Sequence, residues 1–360
     1  MRQQTITKEL VLSLLSKVEE PELHKDLVTL NMIRDLDIQG EKVSFTIVLT
    51  TPACPLQNRI ENEARQAVLK IPGVVSVDIK MDSAVPNDGR DRGPLNLPIH
   101  NAIAIASGKG GVGKSTVAVN ISVLLAESGA RVGLLDADIY GPNIPIMMGV
   151  NHINGTANEK IVPAEAYGVK LMSIGFLVKP EQPLIWRGPM LHSAIRQFLT
   201  DVDWGELDYM VVDLPPGTGD AALSLAQSLP LSGVLIITLP QQVSLEDARR
   251  SLEMFRQLEV PLLGVVENMS YLELPDGTRM DIFGTGGGKR LASETGIPYI
   301  GAIPIDPAVR EGGDTGKPIV ITSPDSPVAK AFKAITCEVA AKISIAALEK
   351  NQSIVQETGG

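Results

Sequence analysis

The sequence predicts an α/β protein: a mostly parallel, doubly wound sheet preceded by a small α+β domain. Three observations predict it. Beyond residue 100, short apolar runs at 102–106, 132–135, 209–212, 234–239, 262–266 and 299–303 alternate with segments of helical spacing. Continuous apolar runs of this length are strands covered on both faces, the signature of a parallel sheet. Before residue 84 the order is instead helix, strand, helix, strand on a smaller scale. Between the two lies SAVPNDGRDRGPLNLP (83–98), with three prolines, two glycines and few apolar anchors, which reads as a linker. The predicted organisation is therefore a small domain over 5–84, a linker over 85–98 and a large domain over 99–350.

In the small domain, Leu10, Leu14, Leu15 and Val18 recur at helical spacing over 6–18, and Glu20-Pro21 stops that helix. VSFTIVLT (43–50) is β-branched and aromatic, hence a strand. A second helix follows over 56–70, with Ile60, Ala64, Ala67 and Val68 on one stripe. Pro72-Gly73 ends it, and residues 74–79 alternate as another strand. In the large domain, helices are expected over 115–127 and 245–258, and a long one over 327–350 with an apolar face that includes Cys337.

Composition narrows the function classes. Lys and Arg number 32 against 42 Asp and Glu, a net charge of −10, and aromatics are 4% of the 360 residues. An acidic, aromatic-poor chain offers neither clustered cations for phosphate backbones nor stacking platforms for bases, so no nucleic-acid partner is expected. No apolar run approaches the length that spans a bilayer, and MRQQTITKEL has no leader pattern. Two cysteines, Cys54 and Cys337, build no disulfide framework. His24, His100, His152 and His192 show no metal-ligand spacing. The expectation is a cytoplasmic protein without stable membrane association.

The chemistry concentrates in SGKGGVGKST (107–116), which carries G-x-x-x-x-G-K-[ST] on Gly108, Gly113, Lys114 and Ser115. It follows an apolar strand and opens a helix, the context of a phosphate-binding loop, so the predicted sheet is that of a P-loop NTPase. Glycines let the backbone N–H groups of Gly108, Lys109, Gly110, Gly111, Val112, Gly113, Lys114, Ser115 and Thr116 turn onto phosphates, and the helix N-terminus adds favourable potential. Lys114 is placed to reach the β- and γ-phosphates of ATP, and the Ser115 hydroxyl to bind Mg²⁺. Two acidic strand ends accompany the loop: LLDAD with Asp136 and Asp138, and YMVVD with Asp213. Carboxylates so placed hold Mg²⁺ or orient water, although any one of them alone reads equally as a helix cap. GTGGGKR (284–290) has the wrong spacing for a second phosphate loop.

The second lysine, Lys109, makes the loop K-G-G-x-G-K-[ST], which resembles the MinD, ParA and nitrogenase-iron-protein branch of P-loop ATPases. That resemblance implies ATP hydrolysis in a homodimer whose Lys109 reaches the partner's nucleotide. It implies further that Asp138 positions the attacking water, that Asp136 sits near Mg²⁺ and that Asp213 is the Walker B acid. Gly217, in LPPGTGD, would sense the γ-phosphate through its N–H. Asn268, in VVENMS, would read the adenine edge, for which an amide is suited, while a bare turn is its other reading. Pro304, in IPIDP, would pack on the base.

DADIYGPNIP, PPGTGD, VVENMSY and DIFGTGGG together resemble the Mrp-type iron–sulfur carrier ATPases over nearly the whole chain. EEPEL, LTTPACPL and IPGV of the N-terminal part are similar to the metal–sulfur cluster assembly domain fused to many members. The resemblance implies a homodimer that binds a [4Fe–4S] cluster and passes it to apo-proteins. Many members carry C-x-x-C after the NMS motif, and Leu274 and Gly277 stand near those places here. A [4Fe–4S] cluster normally takes four thiolates. Cys54, between Pro52 and Pro55 before a helix, is the remaining candidate ligand, and a small packed thiol is its other reading. Three rival readings accompany the carrier: a MinD-like switch on a membrane, a reductase like the nitrogenase iron protein, and an ATPase scaffold without its own cluster.

Overall fold

The computed structural model describes residues 6–21, 23–90, 97–139, 141–153, 155–157, 160–176, 188–274 and 276–358. It divides into two compact units, Met1–Pro86 and Asn87–Gly360.

The first unit holds α1 (Lys8–Leu15), β1 (Ile33–Gln39), β2 (Lys42–Leu49), α2 (Gln57–Leu69) and β3 (Ser76–Ser83). The sheet order is β1-β2-β3, with β1 antiparallel and β3 parallel to the central β2. Ile60, Ala64 and Val68 of α2 and Val11 and Leu15 of α1 close a core over Val43, Phe45 and Ile47. Thr7 caps α1 by accepting from the N–H of Leu10 at 3.3 Å. The helix is shorter than its apolar stripe suggests: the Lys17 and Val18 amides bond back only three residues, to Leu14 and Leu15, so its last turn tightens and ends. Strand β1 escaped the periodicity reading because its register shifts between Arg34 and Asp37, with Asp35 at φ 52°. A bulge of that kind breaks the period of two.

The second unit holds β4 (Ile99–Ser107), α3 (Lys114–Glu127), β5 (Val132–Asp136), α4 (Ile144–Met147), β6 (Ala164–Ala166) and β7 (Val169–Ser173). It continues through α5 (Gly188–Thr200), β8 (Leu207–Asp213), α6 (Asp220–Ser228), β9 (Gly233–Thr238), α7 (Gln242–Gln257) and β10 (Leu262–Glu267). The chain closes with α8 (Gly287–Thr295), β11 (Tyr299–Ala302), α9 (Pro307–Thr315), α10 (Ile319–Thr322) and α11 (Pro327–Thr358). The eight strands lie in the order β6-β7-β5-β8-β4-β9-β10-β11, and every neighbouring pair is parallel except β6 with β7. The antiparallel pair turns on Tyr167 and Gly168, both at positive φ, a two-residue hairpin that the apolar-run reading did not register.

Alternation along β4 supplies both faces. Ala102, Ala104 and Ala106 join the core under α5, α7 and α8, while Ile103 and Ile105 are buried on the side of α3. Helix α3 packs against α11 as well as the sheet. That explains why Val117, Ala118, Val119, Ile121, Val123 and Leu125 are all buried, and Asn120 and Ser122 with them. The chain leaves β4 toward β5 on one side and later returns to β9 on the other, so the strand order reverses at β4. A crevice at the carboxyl ends of the strands opens at such a point.

Residues 87–90 of the expected linker belong to the second unit. Asp88 is buried there and accepts from the Ser232 hydroxyl, whose oxygen receives the Ala102 N–H at 2.8 Å. Residues 91–96 lie outside the described residues. Among the described residues no helix is long and apolar enough to cross a membrane.

Candidate nucleotide site

The phosphate loop leaves β4 at Ser107 and enters α3 at Lys114, with Gly111 at φ 80° and Gly113 at φ 82° making the left-handed turns that only glycine adopts freely. Gly108 is required for another reason. A Cβ there would stand 2.1 Å from the carbonyl carbon of Asp247 and 2.3 Å from the Ala248 nitrogen, so the loop runs against the backbone of α7. The Ser107 carbonyl accepts from Gly217 N–H at 2.8 Å, tying the loop to the segment after β8. Lys109 is half-buried, and among the described residues no carboxylate pairs with it.

Strand register assembles the acids. Ser173, Asp136 and Asp213 are Cα partners across β7, β5 and β8, side by side at the carboxyl end of the sheet. The Lys114 ammonium reaches in from α3 to Asp213 Oδ1 at 2.6 Å and Asp138 Oδ2 at 3.5 Å. The Ser115 hydroxyl donates to Asp213 Oδ2 at 2.6 Å. The Ser173 hydroxyl donates to Asp136 Oδ2 at 2.7 Å, and the Asp138 N–H to Asp136 Oδ1 at 3.2 Å. Lys114, Asp136, Asp138 and Asp213 are all buried. Burial pushes the Asp136 carboxyl up to about 8, and the neighbouring Asp213 charge adds to it against the Ser173 hydroxyl and Lys114. Burial also raises Asp213, opposed by the Lys114 ammonium and the Ser115 hydroxyl. Three carboxyls therefore share one ammonium, with Asp136 holding a proton near neutral pH.

A pH dependence follows. Asp136 is raised above its unfolded value, so its contribution to stability is complete below about 4 and is lost as pH rises through about 8. Asp136→Asn keeps the shape and removes the titration. The nucleotide-free variant is expected to lose less stability than the parent between pH 5 and pH 8. The parent's extra loss is about a few kcal/mol, visible as a larger fall in Tm for the parent than for the variant. Parallel Tm curves for the two proteins would contradict the buried, protonated Asp136.

Beside the loop lies a cavity of about 730 Å³ lined by Thr116, Met147, Asn268, Pro304, Ile305 and residues of α9. Asn268 and Pro304, both singled out by sequence, meet there. The Asn268 amide nitrogen donates to the Val112 carbonyl at 2.8 Å, so this amide supports the phosphate loop. Its oxygen is then the atom left to accept from a ligand.

The remaining sequence candidates lie elsewhere. Cys54 is half-buried and packs on the apolar core of the first unit. Cys337 is buried in α11. Leu274 and Gly277 form a tight turn, with Gly277 N–H donating to the Leu274 carbonyl at 2.9 Å. Among the described residues no group of three or more His, Cys, Asp or Glu is placed to hold a metal ion. GTGGGKR starts α8: Gly287 and Gly288 let it approach Pro240 and Glu267, and the buried Glu267 carboxylate accepts Gly288 N–H at 2.6 Å. Ser173 and Glu267 were not flagged by sequence, because a serine or glutamate at a strand end becomes informative only when its neighbour across the sheet is known.

Two family matches divide the chain. Residues 98–340 match the family described as NUBPL iron-transfer P-loop NTPase (ParA), and residues 8–79 match that described as iron-sulfur cluster assembly protein. The chain is 52% identical over 353 residues to the iron-sulfur cluster carrier protein of Synechocystis sp., covering 95% of this chain and 99% of that one. It is 48% identical over 344 residues to the protein of the same name from Deinococcus radiodurans, covering 94% and 97%. Among solved structures, the nucleotide-binding protein of Archaeoglobus fulgidus in complex with ADP has a TM-score of 0.57 at 38% identity, over 65% of this chain and 92% of that one. A glycine loop closed on Lys114 and Asp213, at the switch point of a parallel sheet, is the site such a fold carries, and the chain belongs to the NUBPL iron-transfer P-loop NTPase family.

Proposed function

We propose that this chain binds and hydrolyses ATP as a cytoplasmic homodimer and uses the cycle to hold an iron–sulfur cluster and release it to apo-proteins. The observation that carries this reading is that the likeness to iron-sulfur cluster carrier proteins extends over 95% of the chain, both units included. An NTPase fold alone would match only the second.

The site chemistry supports the hydrolysis. Lys114 pairs with Asp213 at 2.6 Å. Phosphate oxygens compete for that ammonium, and the loop N–H groups add charge-assisted hydrogen bonds. Lys114 then neutralises the developing charge on the transferred phosphoryl group, and Asp138, 3.5 Å from Lys114, orients the attacking water. The Ser115 hydroxyl and the Asp213 carboxylate, with Asp136 beside them, are hard oxygen donors that fit Mg²⁺, which keeps several waters and takes few protein ligands. When bound, Mg²⁺ neutralises phosphate charge. Lys109, with no described carboxylate partner, is the cation for the nucleotide of a second copy.

The cluster is cargo. A dimer supplies two Cys54 thiolates, and the other ligands come from the client or a small thiol. The test is anaerobic loading with iron and sulfide, followed by transfer to an apo-ferredoxin-type acceptor with and without ATP. Recovery of the acceptor's absorbance, altered by ATP, is expected. A loaded protein that never passes its cluster on would leave only an ATPase.

A further inference from the structure

Glu267 ends β10 and is 1% exposed, so its carboxylate is a buried titratable group that the hydrolysis described above does not use. One oxygen accepts from the Ser270 hydroxyl and the other from the Gly288 N–H at 2.6 Å, in the first turn of α8. A carboxylate accepts on both oxygens and so can face two donors in different directions at once. The Gly288 contact alone would make Glu267 a helix cap. The Ser270 contact belongs to no cap: it closes the turn 267–270 across the two residues between.

Those two residues are Asn268 and Met269. Met269 sits at φ 51°, a left-handed conformation that a side chain of its bulk rarely takes and that its surroundings must hold. The ends of the turn are held by the backbone of Ile303: its N–H donates to the Glu267 carbonyl and its carbonyl accepts the Ser270 N–H, both at 2.9 Å. The side-chain bond from Ser270 to Glu267 spans the strained residue. Asn268 faces the phosphate loop. Its main-chain N–H donates to the Thr238 carbonyl and its side-chain amide to the Val112 carbonyl, both at 2.8 Å. The amide also fills the space beside Gly113, where a Cβ would stand 2.2 Å from Asn268 Nδ2. A displaced turn therefore carries the amide away from the loop it supports.

We infer that Glu267 is a positioning residue for the phosphate loop: by bonding Ser270 it fixes the turn that presses the Asn268 amide onto Val112 and Gly113. It acts through Asn268 and not on the ligand. The inference rests on the nucleotide reading above and concerns the shape of the loop, not recognition of the base.

The probe is inorganic tripolyphosphate, which carries no base and so reads the loop alone. Its binding is measured by calorimetry in the full chain with Mg²⁺, alongside that of ATP. Ser270→Ala opens the turn and keeps the α8 cap. It is expected to weaken tripolyphosphate roughly 5- to 10-fold, the worth of one hydrogen bond. Glu267→Ala does at least as much and also lowers Tm, because α8 loses its cap. Glu267→Gln keeps an acceptor for Gly288 and a donor for the Ser270 oxygen, and restores most of the affinity. The cycle with Asn268→Ala separates positioning from general damage. Asn268→Ala alone weakens tripolyphosphate, and adding Ser270→Ala to it changes the affinity by less than about twofold, since the route to the loop is already cut. The inference is overturned if Ser270→Ala binds tripolyphosphate like the parent, if Glu267→Gln is as weak as Glu267→Ala, or if the losses of Ser270→Ala and Asn268→Ala multiply. A parent that binds neither tripolyphosphate nor ATP overturns the nucleotide reading together with the inference.

Discussion

Lys114→Ala is expected to slow ATP hydrolysis by at least ~100-fold, the usual cost of removing one preorganised group that meets developing charge. It should also destabilise the nucleotide-free protein, by an amount that depends on pH. Lys114 is the ammonium paired with Asp213, which is 0% exposed, and with Asp138 at 3.5 Å. Removing it strands buried carboxylates, which costs roughly 3–5 kcal/mol when they stay ionised. Asp213, already raised by burial, protonates instead where pH allows, so its pKa then lies further above its unfolded value. The loss is then small near pH 5 and grows toward pH 8. Turnover and Tm at the two pH values are the measurements. A variant with parental turnover, or with the same Tm deficit at both, would show that Lys114 does not hold the site.

Gly108→Ala should be nearly as damaging although it adds one methyl group. The new Cβ meets Asp247 and Ala248 main-chain atoms at 2.1 and 2.3 Å, with no flexible side chain to move aside. Either the phosphate loop lifts off α7 or α7 shifts. Overpacking of this kind costs roughly 1–3 kcal/mol, and a lifted loop no longer aims its N–H groups at one point. The expected result is a lower Tm and ATP binding weakened more than tenfold, roughly the worth of one charge-assisted contact. Gly110→Ala is the control for stability, since a Cβ there meets nothing closer than Pro216 Cγ at 4.0 Å. Equal Tm values for the two variants would contradict the close approach of loop and helix.

The contrast between these two glycines marks what the sequence could reveal. The phosphate loop is contiguous, and its strand–loop–helix setting is local, so Lys114, Ser115 and the acidic strand ends were legible as a motif. The reason for Gly108 lies in α7, at Asp247 and Ala248, and no local pattern connects them. Ser173 is likewise a partner of Asp136 only through the register of β7 on β5. The buried strands showed themselves as apolar runs. Strand β1, bent at Asp35, and the Tyr167-Gly168 hairpin did not, because local backbone geometry there overrides the period.

Cargo is the claim on which the proposed function rests, and Cys54 is the residue that tests it. The most direct measurement is an iron and sulfide count after anaerobic reconstitution, in the full chain and in Cys54→Ala. Cys337, buried in α11, provides the matched Cys337→Ala control. The expected result is about four irons and four sulfides per dimer in the parent and in Cys337→Ala, with neither retained by Cys54→Ala. Cluster content unchanged by Cys54→Ala, or a parent that retains no iron, would contradict carriage through the N-terminal unit.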